Sequence, residues 1–558
     1  MALGCIFTAL QSPAATYYVN CAAGSDAADG LSASRAWKSV AAVSSRHFLP
    51  SDSILFRRGT TCAGMLWPKG SGTVSAPVAL DAWGMGPLPK IQASSGEEAA
   101  FRLSDQEFWD VAHLEFSGGN PRGIFIDGTR GVLRHIHIRD VVVHDVTGEP
   151  KKKESGLVVI SPGARGQRFD DVIVDGVTAY GTSQWAGILV GGANFGTVAE
   201  NERSTNVTIR NSIVHDVAGD GIVLFEVNHG TIENSIAWRT GMQETQTIGT
   251  PDAIWTWMCR DCAVRRSEAF LTDSPGVDGG AFDIDWGNDN NIIEESYGHD
   301  TQGYCASIFG SEGVTTNSAV QNNVCSDNGR SPRLAKRQGA IFLSTWNGGK
   351  LKGVRISGNT IFWNPPVGTA ALVNNANFEG SGRFERNIVE SWCPSLIRSN
   401  PSLIIEGNVF GHAAPPGNGI ASRDPGKFPK SSKWTLWAFV SAASEDHDSR
   451  GQIAVLESAF SQFRSVDLDA VVVPSDVPGR EQQQNLQYDW HLESIRIIAK
   501  EAEEERALKV RRRPTLVLMN PRNHIIWRHD GLTTPSELGL AVRSFLGNPD
   551  YSRMDSQQ

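Results

Sequence analysis

The chain has little of what would mark a membrane protein or a nucleic-acid-binding protein. No run of residues is long and apolar enough to cross a bilayer. The formal net charge is -10, so the sequence lacks the basic excess of a nucleic-acid binder. The same acidity disfavours a polyanionic substrate unless a metal ion or a local basic patch offsets it. We therefore expect neither a membrane span nor a nucleic-acid partner.

Cysteine is also scarce, with eight in 558 residues, which is too few for a disulfide scaffold. Cys21 with Cys62, and Cys305 with Cys325, are pairs suited to an oxidising compartment. Cys259 and Cys262 have the spacing of half a zinc site, but no second pair accompanies them, so the pattern favours a structural cysteine pair. Residues 1–16 are apolar and end in small residues. They resemble a signal-peptide remnant without a basic leader, which predicts a secreted protein, extracellular or periplasmic.

What the chain does have is a repeat. Gapless copies share an apolar first position and a polar fourth position, and they recur every roughly 22 to 35 residues, within the range of solenoid repeats. The copies begin at Ile138, Ile209, Ile232, Val264, Ile293, Val320, Ile356, Phe384 and Ile405. The fourth position changes from serine to asparagine along the chain, and we expect it to form a hydrogen-bonded ladder. Its members are Ser212, Ser235, Ser267, Ser296, Asn323, Asn359, Asn387 and Asn408.

These repeats predict a mostly β protein built as a parallel β-helix. Strands dominate the pattern, no helix separates them, and each coil buries its apolar residues only when the next coil stacks on it. The second repeat position alternates in charge, which predicts ion pairs between neighbouring strands. It holds Arg210, Glu233, Arg265 and Glu294. We therefore discount Arg265 as a catalytic residue.

The segment from Tyr17 to Ser39 resembles the entry of secreted right-handed β-helix proteins of the pectate-lyase-like superfamily. The resemblance extends over residues 17–412. It implies that a short helix, Ala36 to Val43, covers the open end of the coil. The superfamily includes lyases, hydrolases, epimerases and binding proteins, so the resemblance implies the fold and a carbohydrate-active role, but no particular substrate.

A second strand follows each repeat, and its outward positions break pattern on two neighbouring coils. Trp255 is expected one coil before Asp283, and Trp257 one coil before Asp285. Residues two apart on a strand face the same way, so the two aspartates share a face. Aromatic rings stack on the apolar faces of sugars, although a covering loop would give the tryptophans a purely structural role. Further residues expected to bind substrate are Trp286, Glu226 and Asp300.

Asp283 and Asp285 are the predicted acid/base pair. Their spacing suits either a retaining or an inverting glycosidase, and with Asp252 they would equally suit a Ca²⁺ site. His299 is predicted as a catalytic acid or base, although His144 and His215 occupy the same column and a structural role at a turn is the alternative. No lysine or arginine is expected on the tryptophan face, which favours a hydrolase over a lyase that must neutralise an acidic sugar.

Repeats end near His412, and residues 413–432 read as a linker. Strands then alternate with helices over residues 433–547, followed by a tail at 548–558. The run from Arg513 to Gly531 resembles the second half of thioredoxin-like proteins, with Pro514 at the position of their conserved active-site proline. The redox Cys-x-x-Cys is absent, because residues 444–449 stand in its place, so the resemblance implies a docking or binding domain without thiol–disulfide exchange.

The leading hypothesis is therefore a secreted enzyme that degrades a polysaccharide or oligosaccharide bound along the outer groove of the β-helix. A glycoside hydrolase without a required cofactor is favoured over a Ca²⁺-dependent polysaccharide lyase. The competing hypothesis is a non-catalytic glycan-binding or surface protein, in which the aspartates are structural. The oligomeric state is left open.

Overall fold

The computed structural model shows a parallel β-helix followed by a smaller α/β unit. It describes residues 14–163, 166–192, 199–243, 248–367, 370–391, 396–411, 433–443, 446–463, 468–475, 477, 480–492, 495–497, 505 and 508–551. Within these ranges, no helix is both long and apolar enough to cross a membrane. Most of the predicted signal-peptide remnant (residues 1–13), the predicted linker, and most of the C-terminal tail lie outside the described residues.

Three parallel sheets form the walls of the β-helix, and successive strands of a coil enter sheets 1, 2 and 3 in turn. Sheet 1 comprises Thr16–Val19, Ser53–Arg57, Val78–Trp83, Trp109–Ala112, Val132–Arg139, Arg168–Asp175, Ser204–Arg210, Val227–Glu233, Ala263–Arg265, Ile292–Glu294, Ala319–Gln321, Arg355–Ser357, Gly382–Glu385 and Leu403–Glu406. Sheet 2 comprises Thr61–Ala63, Lys90–Gln92, Glu115–Ser117, Val142–Val146, Thr178–Thr182, Ile213–Val217, Ile236–Trp238, Glu268–Phe270, Tyr297–His299, Val324–Ser326, Thr360–Phe362, Ile388–Glu390 and Val409–Gly411.

Sheet 3 carries the candidate functional face. Its strands are Phe101–Ser104, Arg122–Gly128, Gly156–Pro162, Ala186–Gly191, Ile222–Phe225, Ile254–Trp257, Phe282–Ile284, Ala306–Ser311, Ile341–Trp346, Leu372–Asn375 and Ile397–Arg398. Its inward column is apolar, because Ile188, Ile222, Ile254 and Phe282 pair in register on successive strands and are fully buried. Burial of such columns is the main stabilising contribution in a solenoid. A small extra sheet pairs Val314–Thr316 with Lys350–Lys352.

The predicted polar ladder is confirmed. The side-chain oxygen of Ser235 accepts a hydrogen bond from the backbone N–H of Ser212, and the pattern repeats coil by coil as far as Asn408. From Asn323 onwards the amide group makes a further bond to the next asparagine. Buried polar groups therefore find partners in the neighbouring coil. Of the predicted ion pairs, Arg265 contacts Glu233 at 2.9 Å, whereas Arg210 pairs with Asp175 instead.

At its N-terminal end the coil is covered by the helix Val40–Ser44, shorter than predicted and starting four residues later. Ser39 caps it, because its hydroxyl accepts a hydrogen bond from Ala42 N–H. Disulfides join Cys21 to Cys62 and Cys305 to Cys325, while Cys259 and Cys262 are buried free thiols. Other short helices are Ala33–Arg35, Glu200–Glu202 and Pro332–Ala335.

The C-terminal unit has a five-stranded mixed sheet in the order Arg496–Ile497, Leu468–Ser475, Trp434–Ser441, Thr515–Met519 and Ile525–Asp530. Its helices are His447–Gln462, Arg480–Asp489 and Pro535–Leu546. The alternation of strands and helices matches the prediction. A charged segment, residues 480–508, contributes the helix Arg480–Asp489 and the short edge strand Arg496–Ile497 within its described residues. The thioredoxin-like resemblance remains a prediction.

The C-terminal unit packs on the outer face of sheet 2. The helix His447–Gln462 contributes Ala454 to an apolar cluster with Trp238 and Phe270 of the β-helix. Polar anchors extend over a long stretch of the solenoid. They are Arg58 with Asp489, Asp140 with Arg450, Glu268 with Gln462, and Asp300 with Arg543.

Candidate functional site

A pocket of about 430 Å³ opens on the outer face of sheet 3, at the coil that contains Asp283. This volume lies within the range of about 300–1,000 Å³ that is common for ligand sites. The residues that surround it are Lys153, Thr250, Asp252, Trp255, Val277, Asp278, Asp283, Asp285, Trp286, Phe309, Arg337, Gln338, Phe342, Ser344 and Trp346. The structure therefore brings together the two predicted catalytic aspartates, the predicted Asp252, and two of the three predicted tryptophans.

The register of strand pairing in sheet 3 fixes the position of the central carboxylate, that of Asp283. Asp283 pairs with Trp255 on one side and with Ser307 on the other. Its inward neighbours, Phe282 and Ile284, are buried in the core, so Asp283 faces the pocket as predicted. The side chain is nevertheless only 2% exposed, and its Oδ1 accepts a hydrogen bond from Ser307 Oγ at 2.6 Å.

Asp285 and Asp278 are the more open carboxyl groups of the pocket, and both are half-buried. Asp285 follows the strand, and its Oδ1 accepts a hydrogen bond from Trp286 N–H at 2.8 Å. Asp278 precedes the strand with φ of 66°, and its Oδ2 accepts a hydrogen bond from Thr250. These two carboxyl groups flank the short strand that carries Asp283.

Burial raises the pKa of Asp285 to about 7. The N–H of Trp286 and the ammonium of Lys153 oppose the shift, while the carboxylates of Asp278 and Asp220 add to it. Burial also raises the pKa of Asp278 to about 6, against the hydrogen bond from Thr250 and the charge of Lys153. Two carboxyl groups that titrate near neutrality suit acid/base work, in which one must carry a proton while the other is ionised.

Two more deeply buried aspartates, Asp283 and Asp252, lie beside the open pair. Burial, together with the neighbouring Asp285 and Asp252, raises the pKa of Asp283 well above its ordinary value. Burial likewise raises the pKa of Asp252, whose carboxylate accepts hydrogen bonds from Tyr304 Oη and Gly280 N–H, both at 2.6 Å. Crowding of like charges disfavours simultaneous ionisation, so the charge of Asp285 helps to keep Asp283 protonated, and that of Asp278 helps to keep Asp252 protonated.

The expectation of no cation on this face is wrong. Lys153 borders the pocket, with Nζ 3.9 Å from Asp220 Oδ2 and 4.6 Å from the centroid of the Trp255 ring. Arg337 also lines the pocket. Lys153 lies in a turn more than a hundred residues before Asp283, and turns carry no repeat pattern. Asp220, which precedes the strand Ile222–Phe225, is fully buried and accepts a hydrogen bond from Trp185 Nε1.

The two strand tryptophans are not exposed platforms. Trp255 and Trp257 are 4% and 3% exposed and belong to an apolar cluster with Trp185 and Phe225. Their rings point away from the β-helix core, as predicted, but other side chains cover them. Trp255 still reaches the pocket wall, whereas Trp257 does not line the pocket and packs edge-to-face on Trp286, which does. The open aromatic surface comes instead from Trp286 and Trp346, both accessible at the pocket.

His299 and Asp300 lie elsewhere, which corrects their predicted roles. His299 is fully buried on sheet 2, with Nε2 2.9 Å from Glu268 Oε1 and Nδ1 2.8 Å from Asp300 Oδ2. Asp300 also accepts a hydrogen bond from Arg543 at 2.7 Å. Both therefore belong to the contact with the C-terminal unit. The structural alternative for this histidine column is the one that the contacts support.

Glu226, predicted to bind substrate, is 2% exposed and is not among the residues that line the pocket. Its φ of 53° places it at the bend that ends the strand Ile222–Phe225. The residues that sequence reasoning missed are Asp278, Lys153, Thr250 and Gln338. Of these, only Asp278 gave a signal, because it opens the same acidic segment as Asp283 and Asp285.

Comparison with known proteins agrees with this architecture. A family model described as right handed beta helix region matches residues 122–382. The crystal structure of GH136 lacto-N-biosidase from Eubacterium ramulus superimposes with a TM-score of 0.52 at 19% identity, covering 71% of this chain and 68% of that one. The native form of the same protein gives a TM-score of 0.50 at 20% identity, with the same coverage. The chain therefore has a right-handed parallel β-helix fold.

Among curated proteins, the chain is similar to a lacto-N-biosidase of Bifidobacterium longum subsp. longum. The two are 22% identical over 479 residues, which is 68% of this chain. The chain spans less than a third of that relative, whose matched part is 29% of its length.

Proposed function

We propose that this protein is a glycoside hydrolase that cleaves an oligosaccharide or polysaccharide held in the sheet 3 pocket. The observation that carries the proposal is a pair of half-buried carboxyl groups, Asp278 and Asp285, with pKa values of about 6 and about 7. They share the pocket with two accessible tryptophans. The similarity to lacto-N-biosidases supports the same class of reaction.

In this mechanism Asp285 is the general acid. Its higher pKa keeps the proton that the leaving glycosidic oxygen needs at near-neutral pH. Asp278 is the ionised partner, because Thr250 and Lys153 stabilise its carboxylate. It acts either as the nucleophile of a retaining enzyme or as the base that activates water in an inverting one. Asp283 is 2% exposed and accepts a hydrogen bond from Ser307, so we assign it to the floor of the pocket rather than to contact with the sugar.

The aromatic rings would hold the sugar. Trp286 and Trp346 present apolar surface at the mouth of the pocket, and Phe309 packs edge-to-face on Trp346 with centroids 5.6 Å apart. Sugar rings bind such surfaces through their C–H faces. Because the pocket is compact, we propose that it takes one end of a glycan or a short segment rather than a long run of the outer groove.

The direct test is to incubate the protein with a panel of oligosaccharides and polysaccharides and to measure new reducing ends. Wild type is expected to release sugar, and Asp278→Asn and Asp285→Asn to abolish release. Asp289→Asn is the matched control, since Asp289 is close in sequence but pairs with Arg260 and Thr316 outside the pocket. Full activity in Asp278→Asn and Asp285→Asn would overturn the assignment. Binding without cleavage on every glycan would favour the glycan-binding alternative.

Lys153 gives the lyase alternative a specific basis, because an ammonium at the pocket is able to neutralise the carboxylate of an acidic sugar. The product distinguishes the two reactions. A hydrolase adds water and leaves saturated ends, whereas a lyase leaves an unsaturated sugar that absorbs in the ultraviolet.

The proposed hydrolysis needs no metal ion, so treatment with EDTA is expected to leave the rate unchanged. Loss of activity restored by Ca²⁺ would instead favour a calcium site at Asp252, Asp283 and Asp285.

A further inference from the structure

A second cluster of ligating side chains lies on the outer face of sheet 1, away from the sheet 3 pocket. Asp110 is on the strand Trp109–Ala112, and His135 and His137 are on the neighbouring strand Val132–Arg139, where His137 pairs with Asp110. The two imidazole rings lie with centroids 3.7 Å apart. Asp171, from the next strand, completes the group.

Hydrogen bonds to one carboxylate orient both histidines. Asp171 Oδ2 lies 3.0 Å from His135 Nδ1, and Asp171 Oδ1 lies 3.0 Å from His137 Nε2. A carboxylate only accepts hydrogen bonds, so each of these nitrogens carries a proton. His135 Nε2 and His137 Nδ1 lie on the opposite edges of the rings, away from Asp171.

Both free-edge nitrogens face one carboxylate. Asp110 Oδ1 is 3.5 Å from His135 Nε2 and 3.5 Å from His137 Nδ1. His135 Nε2 is buried and has no hydrogen-bond partner among the described residues. A buried nitrogen without a partner, beside a second imidazole nitrogen and a carboxylate oxygen, is an arrangement that a bound metal ion would satisfy.

The spacing matches that of a metal ion. Tetrahedral bonds of about 2.0–2.1 Å place neighbouring ligand atoms roughly 3.3 Å apart. The two measured separations of 3.5 Å are close to this value. Asp171 supplies the carboxylate–histidine arrangement that orients metal-bound imidazoles in known sites. All three ligand atoms lie within 4.8 Å of one another.

We propose that Asp110, His135 and His137 bind a zinc ion, with Asp171 as the positioning residue and water in the fourth position. Two imidazoles and one carboxylate are a ligand set that zinc accepts. Arg139, an exposed residue, donates a hydrogen bond to His137 Nδ1 at 3.3 Å and swings away when the ion binds. The ion enters from the solvent side of Asp110, whose side chain is 34% exposed.

The ligands come from two successive coils, so the role of the bound ion is to hold these coils together. Asp110 belongs to one coil and both histidines to the next. A ligand that binds only the folded state raises stability with its concentration, and zinc is expected to raise the melting temperature of the whole chain.

The test uses the full-length protein, stripped with EDTA and titrated with ZnCl₂ by calorimetry, with metal content measured after desalting. Wild type is expected to retain one zinc per chain and to melt at a higher temperature with zinc. Asp110→Asn and His137→Gln are expected to lose the ion. Asp171→Asn is expected to weaken binding by about 10–100-fold. His229→Gln is the matched control, since His229 is an exposed histidine of the same sheet that lies 3.7 Å from Asp261.

Replacement of zinc by Co²⁺ gives a readout independent of stability, because tetrahedral Co²⁺ with nitrogen ligands absorbs visible light. Retention of zinc by Asp110→Asn and His137→Gln would overturn the proposal and would point to other ligands such as the thiols of Cys259 and Cys262. A wild-type protein that retains no zinc would overturn it as well. Asp110 and Asp171 are both partly exposed, so their asparagine variants test the site even if the histidine variant fails to fold.

Discussion

Sheets 2 and 3 are built from the same coils, yet their outer faces use carboxyl groups in opposite ways. On sheet 2, Asp300 meets His299 and Arg543, and although burial opposes them, these partners hold the pKa of Asp300 well below its ordinary range. On sheet 3, Asp278 and Asp285 meet other carboxyl groups, and burial raises the pKa of each. The same scaffold thus carries ionised carboxylates where cations arrive from another unit, and carboxyl groups with raised pKa values where they do not.

The largest expected effect is on the rate of glycan cleavage, and it distinguishes the outer face of sheet 3 from that of sheet 2. Asp285→Asn is expected to lower the rate of glycan cleavage by about 10²–10⁴-fold, because it removes the transferable proton. Asp300→Asn, the matched change on sheet 2, is expected to leave the rate near that of wild type while lowering the melting temperature. Equal loss of activity in both variants would contradict a functional division between the faces.

The two substitutions also differ in how stability depends on pH. The folded pKa of Asp285, about 7, lies above the unfolded value of about 3.9, so its burial costs stability progressively as pH rises between these values. Asp285→Asn is therefore expected to be more stable than wild type at pH 8 and similar at pH 4. Asp300 has a depressed folded pKa, so its contribution is present above about pH 3.9 and is lost on acidification. Thermal melts at several pH values check both signs.

The next effect concerns the anchor itself. Arg543→Met is expected to lower the free energy of unfolding by about 3–5 kcal/mol, because it leaves the buried carboxylate of Asp300 without its main cation. Arg330→Met is the control, since Arg330 lies 3.6 Å from the same carboxylate but is 42% exposed. Exposed pairs contribute about 0–1 kcal/mol. Denaturant unfolding measures both, and similar losses in the two variants would argue against burial as the cause of the difference.

A smaller effect is expected on the pH dependence of the reaction. With Asp285 as acid and Asp278 as the ionised partner, the plot of rate against pH should be bell-shaped. Its two limbs should lie at pH values of about 6 and about 7. Lys153→Met removes a positive charge that lowers both pKa values, so both limbs should move to higher pH. Arg337→Met, at the exposed rim, is expected to leave them in place. An unchanged profile in Lys153→Met would remove Lys153 from the electrostatics of the site.

The smallest effect tests the aromatic rim. Trp346→Ala is expected to raise KM by up to about tenfold, since aromatic contacts contribute about 0.5–1.5 kcal/mol beyond their buried area. Trp346→Phe keeps a ring and should restore most of the affinity. If kcat falls instead while KM is unchanged, Trp346 contributes to the chemical step rather than to sugar binding.

The repeat predicted the fold well because its signal is physical and local. Apolar columns and the serine–asparagine ladder recur at fixed positions, and stacking turns each of them into a contact between neighbouring coils. The residues that surround the predicted aspartates were harder to predict from the sequence. Lys153 and Thr250 come from turns of irregular length, and no alternation specifies where such turns lie.

Burial was the other property that the sequence could not supply. Trp257 and His299 point outward from their strands, as their columns predict, but both are covered by packing that the repeat does not encode. For His299 the cover is the C-terminal unit, whose helix Pro535–Leu546 follows it by more than two hundred residues. Strand alternation tells which way a side chain points, and only tertiary structure tells what it meets.

The anchors of the C-terminal unit have a consequence for how this chain can change over evolution. Solenoids lengthen and shorten by whole coils, each of which moves everything beyond it by about 4.8 Å along the axis. Here Arg58, Asp140, Glu268 and Asp300 are all held by one folded body. A coil inserted or deleted between Arg58 and Asp300 would move one end of this body off its partners, so these contacts oppose changes in coil number within that stretch.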